Sequence, residues 1–91
     1  MTFSLEYTAR ALRDLKGLDR QDGRRVTAGL KRLEAQELPW VHVKKLKTSA
    51  SLEPVYSFHV GSCRVLVEFD LERHRIVVDE VSPRKSSYRD F

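Results

Sequence analysis

The residues of this 91-residue chain best suited to chemistry are cations and a few side chains that can carry a proton. Arg64 and His59 flank Gly61-Ser62 in a run of alternating residues. Lys44, Lys45 and Lys47 come earlier in the chain, and the closing segment SPRKSSYRDF adds Arg84, Lys85, Tyr88 and Arg89. Arginine can grip a phosphate through two donors, whereas lysine acts as a point charge. Tyrosine can stack on a base or take part in proton transfer. Histidine, with an unperturbed pKa of about 6.5, can donate a hydrogen bond and shuttle a proton near neutrality. Such a set suits an anionic ligand. The three histidines and one cysteine have no metal-ligand spacing, so no metal site and no cofactor is expected. No Gly-rich phosphate loop and no Ser-His-Asp arrangement is visible.

The elements that must position these residues follow from periodicity. Phe3, Leu5 and Tyr7 alternate with Ser4 and Glu6, which predicts a half-buried strand over 2–7. Thr8 can cap a helix that carries Ala11, Leu12, Leu15 and Leu18 as an apolar stripe and ends near Gly17. Asp19 can cap a second helix, with Asp22 in its first turn, a core stripe of Val26, Leu30 and Leu33, and an end before Pro39. Gly29 lies on the same face and would let another element come close. Trp40 is expected to anchor the crossover to the core. Strands are then expected over 55–60, 63–69 and 76–81. The order predicts an α+β fold: an N-terminal strand, a two-helix hairpin, then a three-stranded antiparallel meander, with the helices on one face of the sheet.

Gly61-Ser62 reads as a two-residue turn that starts with Gly, and this sets the register of the hairpin. Val60 then pairs with Cys63, His59 with Arg64, Phe58 with Val65 and Ser57 with Leu66. Tyr56, Phe58, Val60, Cys63, Val65 and Val67 would meet the helices. Ser57, His59 and Arg64 would lie on the open face, where Arg64 marks a surface for an anion. The bland alternative is an exposed strand arginine paired with Glu68 or Asp70. Cys63 reads as a small core residue. His42 and His74 read as loop histidines.

Composition sets the outer bounds. A hydrophobic fraction of 41% supports one modest core and excludes a disordered chain. The length leads us to expect a single domain over 1–91 and excludes a two-lobed enzyme. One cysteine excludes a disulfide framework and suggests a reducing cytoplasmic compartment. No stretch approaches the ~20 apolar residues of a membrane span, and no signal-peptide core is seen. Seventeen Lys+Arg stand against 13 Asp+Glu, a net charge of +4, which makes nucleic acid a reasonable partner. Most of that excess lies on the helices: Arg10, Arg13, Lys16, Arg20, Arg24, Arg25, Lys31 and Arg32 against Asp14, Asp19 and Asp22. Such a run is usually a solvated face, with docking on nucleic acid as the functional reading.

The element order, the run VKKL at Val43 to Leu46, the run YSFHVGSCRVLV at Tyr56 to Val67 and the ending VSPRKSSY at Val81 to Tyr88 resemble the RelE/ParE superfamily of toxins. The resemblance covers nearly the whole chain. It implies a compact toxin held by a cognate RelB-like antitoxin, in a complex that can bind operator DNA. RelE-like members cut messenger RNA in the ribosomal A site without a metal, by attack of the RNA's own 2′-hydroxyl on the adjacent phosphate. By position, the resemblance makes Arg64 a phosphate stabiliser and Arg84 a stabiliser of the phosphate or leaving group. Tyr88 becomes a candidate for stacking or proton transfer. His59 is a candidate proton carrier, and Lys44, Lys45, Lys47, Lys85 and Arg89 would bind RNA or the ribosome.

The departures from the family pattern lower the charge at this site. Ser57 and His59 stand where the family often has two basic residues, and Cys63 replaces an aromatic. The expected function is therefore a ribosome-dependent messenger endonuclease, attenuated in strength. Two rivals share the fold: a ParE-like inhibitor of DNA gyrase without enzymatic activity, and a toxin-fold interaction or co-repressor module.

Overall fold

The structure, a computed structural model, describes residues 3–46 and 55–83. Its elements run β1 (Ser4–Tyr7), α1 (Ala9–Gly17), α2 (Arg20–Glu34), a 3-10 turn (Pro39–His42), β2 (Lys44–Leu46), β3 (Val55–Val60), β4 (Cys63–Asp70) and β5 (Arg75–Pro83).

Both helices start where their caps require. Thr8 Oγ1 accepts from the Ala11 amide at 3.1 Å, and the same hydroxyl donates to the Asp79 carbonyl at 3.1 Å. The cap thus also fastens the start of α1 to β5. Asp19 Oδ1 accepts from the Asp22 amide at 2.8 Å and opens α2. Each such cap is worth about 1 kcal/mol. α2 stops at Glu34, five residues short of Pro39.

The five strands form one sheet in the order β1-β5-β4-β3-β2. The meander is antiparallel, and β1 joins its far side parallel to β5. The sheet therefore has one strand more than the sequence reading provides. β2 is a three-residue edge strand paired with β3. Three residues are too few to display an alternation.

The helices cover one face. Val26, Leu30 and Leu33 of α2 and Ala11 of α1 pack on Cys63, Val65, Val67, Ile76, Val78 and Val81. Leu30, Val26, Val65, Val67, Ile76 and Val78 are fully buried. Burial of each such side chain contributes roughly 1.5–3 kcal/mol. Gly29 brings α2 down onto β3: a Cβ there would stand 2.9 Å from Val60 Cγ2. Phe3, Trp40 and Phe69 meet edge to face at ring centroid distances of 6.0–6.3 Å. Trp40 thereby ties the crossover to the core, as expected. Cys63, 1% exposed, is a core residue, and burial pushes its thiol pKa up. His74 is in a turn, as expected, and its ring lies against Phe3. His42 ends the 3-10 turn.

Candidate functional site

The β3–β4 hairpin has the register that its turn predicts. Val60 pairs with Cys63, His59 with Arg64, Phe58 with Val65 and Ser57 with Leu66. Gly61 has φ +55°, a left-handed conformation that glycine adopts without a Cβ penalty. The face away from the helices therefore carries His59 and Arg64 side by side. β5 extends this row, whereas β2 supplies the neighbouring row on the same face. Lys44 pairs with Ser57, and Ser82 pairs with Arg64. Lys44, Ser57, His59 and Arg64 thus form one cluster on the helix-free face.

Arg64 is half-buried, and its Nε is buried with no hydrogen-bond partner among the described residues. A buried donor left unsatisfied costs roughly 1–3 kcal/mol. Nδ1 of His74 and Nε of Arg75 are likewise buried without a hydrogen-bond partner among the described residues. Neither carboxylate named as an alternative partner neutralises Arg64. Asp70 pairs with Arg75 at 3.9 Å. Glu68 lies four residues along the same strand, about 13 Å away. Arg64 makes no ion pair among the described residues.

Ser57, read as lying on the open face, and Lys45, an expected site residue, are placed differently from the sequence reading. Ser57 has the predicted register but is only 6% exposed, because a short side chain sits here between Lys44 and Leu66. It presents little surface to a ligand. Lys45 pairs with Tyr56 and so lies on the face that bears the helices, since neighbours on a strand point to opposite sides. Lys44 and Lys45 are therefore not joint members of one site. Lys47 lies outside the described residues, as do Arg84, Lys85, Tyr88 and Arg89.

The other half of this face is acidic, and the sequence reading did not anticipate it. β5 pairs Val78 with Val67 and Glu80 with Leu66, so Asp79 is an extra residue, a bulge without a partner in β4. Asp79 meets Glu68. Burial, a hydrogen bond with Glu68, and the charges of Glu68 and Glu80 raise its pKa to about 7. Asp79 therefore keeps its proton up to near neutrality. Glu80 is held by Arg10 at 2.8 Å, and Asp14 Oδ2 accepts from the Val81 amide at 3.1 Å. One signal for the bulge was present in VVDEV: two adjacent polar residues interrupt the alternation of β5.

A groove of about 700 Å³ lies away from Arg64 and is lined in part by Trp40, Tyr56, Glu68, Phe69 and Leu71. Among the described residues no group of three His, Cys, Asp or Glu could hold a metal ion.

No family model matches the chain, and no curated protein matches it by sequence. Solved structures do match. A chain of the archaeal RelE–RelB complex from Pyrococcus horikoshii is 22% identical, with a TM-score of 0.73 over 92% of this chain and 97% of that one. A chain of a RelBE toxin–antitoxin complex from Mycobacterium tuberculosis is 24% identical, with a TM-score of 0.67 over 92% and 100%. The isolated RelE toxin of E. coli is 16% identical, with a TM-score of 0.68 over 98% and 99%. The chain has the RelE-like toxin fold.

Proposed function

We propose that this chain is the toxin of a toxin–antitoxin pair, and that it cuts messenger RNA held on the ribosome. The observation that carries the reading is Arg64 on the helix-free face, in no ion pair among the described residues, in a chain whose fold matches RelE toxins along nearly its whole length.

The chemistry is an internal displacement. A 2′-oxygen loses its proton and attacks the adjacent phosphorus, the bond to the 5′-oxygen breaks, and that oxygen takes up a proton. The products are a 2′,3′-cyclic phosphate and a 5′-hydroxyl. Negative charge grows on the phosphate oxygens as the bonds exchange. In this reading Arg64 stabilises that charge, which is where a fixed cation contributes most. The exposed position of His59 opposite Arg64 supports a role in exchanging a proton with the reacting oxygens. Lys44 attracts the strand as a point charge. Arg84 and Tyr88, outside the described residues, take the roles that the resemblance assigns them. Lys47, Lys85 and Arg89 add to RNA binding. The partners proposed are a RelB-like antitoxin, the ribosome with its messenger, and operator DNA for the toxin–antitoxin complex.

The experiment is messenger cleavage on programmed ribosomes, with the wild type and Arg84→Ala. The wild type is expected to cut and the variant to lose cutting. Equal cutting, or none by either, overturns the catalytic reading. The near-complete burial of Ser57 favours a second reading, a gyrase inhibitor without catalysis, because it leaves the first strand of the hairpin with few groups for phosphate. Block of supercoiling with the messenger intact would select it.

A further inference from the structure

We infer that the groove at the β4–β5 turn end of the sheet is a docking site for a protein partner, and that it seats an arginine side chain flanked by apolar residues. The inference goes beyond the cutting reading and does not depend on it.

The groove forms where the pairing of β3 gives out. The β3–β4 ladder ends at Tyr56 and Val67, while β4 runs on to Asp70 paired with β5. Asp70 is six residues along β4 from Arg64, roughly 20 Å away, so the groove is apart from the hairpin site. Tyr56 lies on the helix-bearing side with Val67, and Phe69, two residues further on, shares that side. Glu68 and Asp70 point to the other side. Past the end of the ladder both sets line one groove of about 700 Å³.

One wall of the groove is aromatic. Trp40, Tyr56 and Phe69 are each half-buried, and Phe69 meets the other two edge to face, at centroid distances of 5.0 Å from Tyr56 and 6.3 Å from Trp40. The charged lining is Glu68, Asp70 and Glu72 against Arg73, in a chain of net charge +4. Asp70 is taken up by Arg75 at 3.9 Å and by the Arg73 amide at 3.2 Å, and Glu68 by its hydrogen bond with Asp79. Glu72 is exposed and makes no ion pair among the described residues. Aromatic faces beside a carboxylate suit a guanidinium, which the rings attract and the carboxylate can bind through two donors. A phosphate has the wrong charge for this rim. The apolar surroundings select a protein as the source of the cation. Leu71 lines the groove and is 59% exposed, and Leu38 and Val41, within two residues of Trp40, are 52% and 63% exposed. A free amine would leave this surface wet, whereas a segment with apolar residues beside its arginine covers it.

Trp40 is the only tryptophan of the chain, so its fluorescence reports on the groove directly. The test is titration of the full chain with a short acetylated and amidated peptide of alternating leucine and arginine. A saturable shift of Trp40 emission is expected. The same peptide with citrulline, the neutral analogue of arginine, should need at least about tenfold more for half-saturation. Glu72→Lys and Leu71→Ser should each weaken the arginine peptide by about threefold or more. Both variants should melt with the wild type, because both side chains are exposed. No shift up to millimolar peptide, or an equal response to the citrulline form, overturns the proposal. So does unchanged binding in both variants, which points to diffuse attraction by charge. Spermine that displaces the peptide at equal concentration points to a site for free amines, and a larger shift with single-stranded RNA points to nucleic acid; either result overturns the proposal as well. Cutting does not enter this readout. If ribosomes show no cleavage but the arginine peptide still shifts Trp40, the docking site stands and the endonuclease reading falls.

Discussion

The helix-free face of the sheet has two halves of opposite character. Around the β3–β4 hairpin, His59 and Arg64 face each other with Lys44 on the neighbouring row, and Arg64 keeps a buried donor without an acceptor among the described residues. Around the β5 bulge, Asp79 is hydrogen-bonded to Glu68 and holds its proton to near neutrality, while Glu80 is tied to Arg10. In the first half Lys44 and Arg64 make no ion pair among the described residues, whereas the second half consumes its own charges. A cation without a carboxylate is available to a ligand, and one matched to a carboxylate contributes to the fold.

Four measurements test this contrast, from the largest expected effect to the smallest. Arg64→Ala should lower messenger cutting by roughly 10²- to 10³-fold, the usual cost of removing one donor that stabilises developing charge. Glu68→Gln should leave cutting within about threefold under the same assay, and a loss equal to that of Arg64→Ala would put the acidic half inside the site.

The second measurement is stability against pH. Folded Asp79 holds its proton up to about pH 7, whereas an unfolded aspartate releases it near 3.9. Between those values the folded state carries a proton that the unfolded chain lacks, so this group's contribution to stability falls as pH rises. Asp79→Asn should therefore melt close to the wild type near pH 4 and above it at pH 8, by a few degrees because Asp79 is only half-buried. A constant gap at all pH values would show that Asp79 does not hold its proton to near neutrality.

Third, Lys44→Ala should weaken RNA binding about threefold, and Lys45→Ala less than twofold, because the two point to opposite faces. Equal effects would erase the division between faces. Smallest is Arg10→Ala. Its pair with Glu80 is exposed, so thermal melting should register a loss of at most about 0.5 kcal/mol.

Much of this architecture was legible in the order of residues. The Gly61-Ser62 turn, with four alternating residues on each side, left one hairpin register that buries Val65 and Val67 together. Thr8 and Asp19 stood where caps belong, directly before helical stripes. Two features were harder to see. β2 has three residues, and an edge strand that short is defined by its partner. The pairing of β1 with β5 joins residues about 70 positions apart, which no local pattern specifies.

The site divides along the same line. Local pattern sufficed to place His59 beside Arg64, because alternation has a period of two and the turn sets its phase. It could not show that Ser57 would be shaded, that Lys45 would face away from Lys44's neighbours in the site, or that Asp79 would meet Glu68. Those outcomes depend on which strands lie side by side and where the bulge falls. By itself, the order of residues determined the caps, the hairpin and the candidate arginine. Only the tertiary structure decided which charges found partners and which were left exposed, because pairing needs side chains distant in sequence to be brought within a few ångströms.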